Sequence, residues 1–123
     1  MKNALIALAI GAAALGTNPA FAHGTEPQHG GVVASANDLA YELVAEGTGA
    51  SIYVVDHDRP ADTSGMGGKL TVLNGSEKSE VELKPAGGNK LEARSVRLDK
   101  GAKAVASLRS ANGKITTVRF SLN

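Results

Sequence analysis

The residues best equipped for chemistry in this sequence are its three histidines, His23, His29 and His57. Imidazole nitrogen and carboxylate oxygen together make a donor set for a late transition metal. His57 stands between Asp56 and Asp58, so one imidazole and two carboxylates sit side by side. Met66 offers a thioether, the soft donor that suits Cu(I). His23 adds a chelate if the chain is cut after Ala22. It then becomes the first residue, and its free amine and ring Nδ1 can close on one metal. Both donors suit Cu(II), which favours nitrogen ligands in a tetragonal plane. The candidate metal set is therefore His23, His29, His57, Asp56, Asp58 and Met66, with His23 the expected principal anchor, His29 and His57 supporting it, copper the expected ion and another late transition metal the alternative. The competing reading is an unattached arm, a solvated turn at His57 and a Met66 that packs at the edge of a core.

The cut after Ala22 has its own motif. Lys2 supplies a positive start, Ala4 to Leu15 is an apolar run broken only by Gly11, and Gly16 to Pro19 ends it. Ala20-Phe21-Ala22 places small residues where a signal peptidase reads them. Residues 1–22 are predicted to be an export signal in a helix, too short to span a bilayer. The alternative is a permanent anchor, but no basic flank follows residue 22 and no cysteine is present for a lipid. The expected location is the periplasm, with no stable membrane insertion once the signal is removed.

Other chemistries lack their residues. With no cysteine there is neither a disulfide framework nor a thiolate site. Two tyrosines and two phenylalanines are too few for a platform that stacks nucleic-acid bases, so no nucleic-acid partner is expected. Gly65, Gly67 and Gly68 do not make a phosphate loop, and Ser64 does not sit in a nucleophile turn. An enzyme is not expected. Charge is uneven along the chain. Residues 23–68 hold seven acidic residues and one basic, a net of −6, and residues 69–123 hold eleven basic and five acidic, a net of +6. Either the acidic half presents a surface that attracts cations, or the two halves interleave and their charges pair.

The elements that must position these residues read as strands. His23 to Gly31 has no periodicity and is predicted as a flexible, histidine-containing arm over 23–31. From Val32 onward, short apolar segments alternate with turn residues. Leu39, Tyr41 and Leu43 share one face, and Glu42 and Glu46 the other, which is the period of a half-buried strand. Further strands are predicted at Ser51–Asp56, Leu70–Leu73, Glu80–Leu83, Leu91–Ala93, Val96–Leu98, Lys103–Leu108 and Ile115–Leu122. Asn74-Gly75 and Asn112-Gly113 mark hairpin turns. The expected fold is all-β: a single small β-sandwich, Ig-like, of seven to eight strands over 32–123. Leu43, Val54, Val72, Leu83, Leu98, Leu108 and Phe120 are the expected inward positions.

Three segments carry a resemblance. His29-Gly30-Gly31-Val32 enters the first strand, Tyr41-Glu42-Leu43-Val44 forms the second, and Ile52-Tyr53-Val54-Val55-Asp56 with Pro60 forms the third. Over roughly 29–75 this resembles the small β-domain of heavy-metal efflux adaptor (membrane fusion) proteins. A looser similarity is to periplasmic copper-resistance carriers, β-sandwiches whose mature chain begins with histidine. That family completes its site with an Asp-x-His motif near the C-terminal end, whereas here the acidic–histidine run is Asp56-His57-Asp58, in mid-chain. The resemblance implies a metal-homeostasis setting: a module for metal storage, delivery or efflux, with a metal ion and an efflux or envelope protein as partners. The alternative is a structural or interaction β-domain of an envelope complex that holds no metal.

Overall fold

A computed structural model describes residues 26–123. The expected signal over 1–22 and His23 lie outside the described residues. The strands are β1 (Val32–Ala36), β2 (Leu39–Glu46), β3 (Gly49–Asp56), β4 (Arg59–Pro60), β5 (Gly67–Asn74), β6 (Glu77–Pro85), β7 (Lys90–Ala93), β8 (Lys103–Arg109) and β9 (Ile115–Ser121). Among the described residues there is no helix.

Every pairing is antiparallel, and the order is β1-β2-β3-β7-β6-β5-β8-β9, with β4 on the end of β3. The two layers of the expected sandwich are one sheet curled on itself. β6 joins them: Glu77 to Leu83 pairs with β5, and Lys84 and Pro85 pair with β7. The curl nearly closes, with β1 lying against β9 and Asn37 Nδ2 donating to Thr116 Oγ1 at 2.8 Å across the seam. Closure removes most of the exposed edge that an open sheet would present.

Period-two patterning decides which residues meet inside. Tyr41, Leu43, Ile52, Val54, Leu70, Val72, Leu83, Leu91, Leu108, Val118 and Phe120 are all buried. Truncating one of the buried leucines to alanine typically costs about 2–5 kcal/mol. Two expectations need correcting. Val96–Leu98 is not a strand: it belongs to the crossing from β7 to β8, where Val96 N–H bonds the Thr48 carbonyl at 3.0 Å and Ser95 adopts φ 57°. Val96 fills the core there, and Leu98, expected inside, is half-buried. Glu42 does project from the outer face, as its spacing predicts, yet it is only 5% exposed.

The two charge halves of the chain keep largely to separate layers. β1 to β4, from the acidic half, share one layer, and β5, β6, β8 and β9, from the basic half, share the other. β7 crosses over, with Lys84 and Pro85 of β6 paired beside it, and there Lys90 lies 3.3 Å from Glu46.

Candidate functional site

Glu42 is covered because the chain before β1 folds back onto it. The β2–β3 register sets Glu42 opposite Tyr53 on the outer face. The Glu42 carboxylate accepts hydrogen bonds from the backbone N–H groups of Gln28 (2.9 Å), His29 (2.8 Å) and Gly31 (2.8 Å). The His29 ring adds Nδ1 at 3.0 Å from Oε1. Two glycines make this approach possible. Gly30 has φ +75°, a conformation that costs glycine little. A Cβ on Gly31 would collide with the Leu43 carbonyl oxygen. The His-Gly-Gly run is thus a clasp that closes on a carboxylate supplied by the neighbouring strand.

The His29 ring also stacks on Tyr53, with centroids 3.7 Å apart and planes 5° from parallel. Tyr53 Oη donates to Glu46 Oε2 at 3.1 Å, Ser51 Oγ donates to Glu46 Oε1 at 2.6 Å, and Lys90 Nζ lies 3.3 Å from the same oxygen. A continuous chain of contacts, one ring stack and then hydrogen bonds and an ion pair, therefore runs His29–Tyr53–Glu46–Lys90 across β3, β2 and β7.

Electrostatics follow from these contacts. Burial pushes the Glu42 carboxyl upward, but the His29 ring and the three backbone donors together outweigh it, so its pKa lies below the ordinary carboxylate value. The Ser51 hydroxyl, with help from Lys90 and Tyr53, lowers that of Glu46 despite some desolvation. Burial, then the Glu46 carboxylate, raises the Tyr53 phenol. Glu42 is consequently ionised near neutral pH and can only accept hydrogen bonds. That assigns the His29 proton to Nδ1 and leaves Nε2, in the neutral ring, as a lone-pair donor. The His29 side chain is 42% exposed. A histidine that gives one ring N–H to a carboxylate and turns the other nitrogen outward is the usual form of a metal-ligating imidazole.

The structure divides the predicted metal residues. His29 and Asp58 line one cleft of about 490 Å³, together with Glu26, Glu42, Val55 and Asn89. Asp56 and Met66 line a different cavity at one end of the barrel. His57 lines neither. It occupies the two-residue β3–β4 turn with Asp58, at φ 50° and 70°, and its Nδ1 reaches Asp56 Oδ1 at 2.6 Å while 77% of the side chain stays exposed. His23 lies outside the described residues. Among the described residues no three His, Asp or Glu side chains gather closely enough to hold a metal.

Sequence reasoning missed Glu42 and Tyr53 as partners of His29. The available signal was a doubled glycine after a histidine, directly before a strand. The chain matches no family model, no curated protein and no solved structure.

Proposed function

We propose that this protein is an exported metal-binding β-domain of the periplasm, taking copper or another late transition metal in storage, delivery or efflux, with His29 as its anchor. The observation that carries the reading is the His29–Glu42 contact, which orients the ring and leaves Nε2 as a donor at the edge of an acidic cleft. Asp58 and Glu26 line that cleft and make it attractive to a cation, without closing on His29 as a ligand set. His23, six residues before His29 in the chain, supplies further nitrogen once residues 1–22 are removed. Copper(II) fits a set rich in nitrogen and is expected to displace Ni(II), Co(II) and Zn(II). Binding weakens below about pH 6, because imidazole binds a metal only when deprotonated.

The test is a Cu(II) titration of correctly processed protein and its His29→Ala, His23→Ala and His57→Ala variants. Weakened binding in the first two, with His57→Ala unchanged, is the expected pattern. Wild-type affinity in His29→Ala overturns the reading.

A second reading, an interaction domain of an envelope complex that holds no metal, is favoured by the opposite layer. Its outer face carries Lys69, Lys103, Arg109 and Arg119, with Leu73 (42%) and Ile115 (57%) the exposed large hydrophobics beside them. Charge with exposed apolar side chains is a docking composition. Copurification of an envelope protein, lost in an Arg109→Glu, Arg119→Glu variant and indifferent to copper, would favour this reading over the first.

A further inference from the structure

The end of the barrel formed by the β1–β2 turn, the loop over 61–66 and the β8–β9 connection opens into a cavity of about 430 Å³, a volume in the range of small-molecule sites, roughly 300–1,000 Å³. Leu39, Val54, Met66 and Leu108 give it an apolar floor. Most polar groups on its rim are engaged with one another. Asp62 accepts from the Ser64 amide and hydroxyl, each at 3.0 Å. Asn37 donates to Thr116. Asn112 accepts from Ser110 Oγ at 2.8 Å and from the Lys114 amide at 3.1 Å. Asp56 holds the His57 ring.

Tyr41 is different. It enters from the inner face of β2, lines the cavity and is 1% exposed. Its hydroxyl has no hydrogen-bond partner among the described residues, and burial alone raises its pKa, with no hydrogen bond or charge contributing. Native interiors pair nearly all such groups, because an unpaired buried hydroxyl is destabilising. The cavity thus combines an apolar surface with a wall residue whose buried hydroxyl, able to donate and to accept, has no partner among the described residues.

We propose that this cavity binds a small uncharged molecule with an apolar ring and one hydroxyl or carbonyl oxygen. The oxygen pairs with the Tyr41 hydroxyl, and the ring rests on Leu39, Val54, Met66 and Leu108. The rim selects against anions, since Asp56 and Asp62 stand there against one ammonium, Lys114. The floor selects against strongly hydrated molecules, which would lose their water without replacement. The proposal does not rest on the metal reading: Met66 and Asp56 line this cavity and not the His29 cleft, and Tyr41 of β2 is the residue common to both.

The experiment titrates isotope-labelled protein with 4-ethylphenol, ethylbenzene and 4-ethylbenzoate, following backbone amide resonances. 4-Ethylphenol should shift the Leu39, Val54 and Leu108 amides saturably and bind about tenfold more tightly than ethylbenzene, the gain expected from one hydrogen bond to a buried group. Tyr41→Phe should bring the two ligands within about twofold. Shifts confined to other residues, binding that does not saturate, equal affinity for 4-ethylphenol and ethylbenzene, or preference for the benzoate would each overturn the proposal, as would an unchanged preference in Tyr41→Phe. The wild-type comparison of the first two ligands decides the matter even if the variant misfolds.

Discussion

Two histidine–carboxylate contacts in this molecule look alike and behave differently. His57 lies 2.6 Å from Asp56, and His29 lies 3.0 Å from Glu42. By distance the first is the stronger. Yet His57 and Asp56 are 77% and 55% exposed, whereas the Glu42 side chain is 6% exposed and takes three backbone N–H donors as well. In water, an ion pair gives back most of its attraction as lost hydration and lost side-chain freedom. Around a buried carboxylate the same attraction is little screened, and each donor removed leaves another group unpaired. Burial and the number of partners rank the two contacts, and distance does not.

Removing the buried carboxylate should show this most strongly. Glu42→Ala is expected to lose about 3 kcal/mol of stability in urea unfolding, since it orphans three backbone donors and a ring N–H. Hydrogen exchange at the Gln28, His29 and Gly31 amides should accelerate at the same time. Normal protection at those amides would mean that the clasp closes without its carboxylate.

The next largest effect separates the two histidines. His29→Ala gives up a ring stack and a hydrogen bond to a charged group, and should cost about 1–2 kcal/mol. His57→Ala should stay within about 0.5 kcal/mol, as for most exposed positions. Equal losses in thermal or urea unfolding would erase the distinction.

The smallest effect is in acid. The Glu42 carboxyl has a lower pKa in the fold than the ordinary glutamate value of about 4.5 that it has in the unfolded chain. Its ionised form therefore stabilises the fold fully above that value, and the contribution is lost as pH falls through the lowered folded value. Stability measured between pH 5 and pH 3 should drop more steeply in wild type than in Glu42→Gln. Parallel curves would place the acid sensitivity elsewhere, with Glu46, whose shift has the same sign, the next carboxylate to replace.

The strands were legible in the sequence because burying one face of a sheet imposes a period of two, and the strands from β2 to β9 largely keep it. Asn74-Gly75 and Asn112-Gly113 were legible as turns because Gly75 and Gly113 adopt positive φ there, at 63° and 88°. Val96–Leu98 misled, because its alternation serves a crossing segment that drops Val96 into the core without pairing. The clasp was harder still to foresee. Its donors are main-chain N–H groups, which every residue carries and no sequence pattern advertises, and its acceptor sits where a strand's outer face normally meets solvent. His29 was visible as a candidate ligand, but its separation from His57 depends on the β2–β3 register and on a two-residue turn that holds His57 out in water.

β7 lies in the acidic layer beside β3, although β5 and β6 precede it in the chain and build the other layer. During synthesis, β1 to β3 emerge first, and the β3 edge from Ala50 to Tyr53 waits for Lys90 to Ala93 before it is covered. Through that interval the nascent chain carries an unpaired strand edge, the template on which misassembly begins. Holding the chain extended until its second half arrives is therefore part of what this topology asks of the cell, and a stop before residue 90 would leave an aggregation-prone fragment rather than a smaller domain.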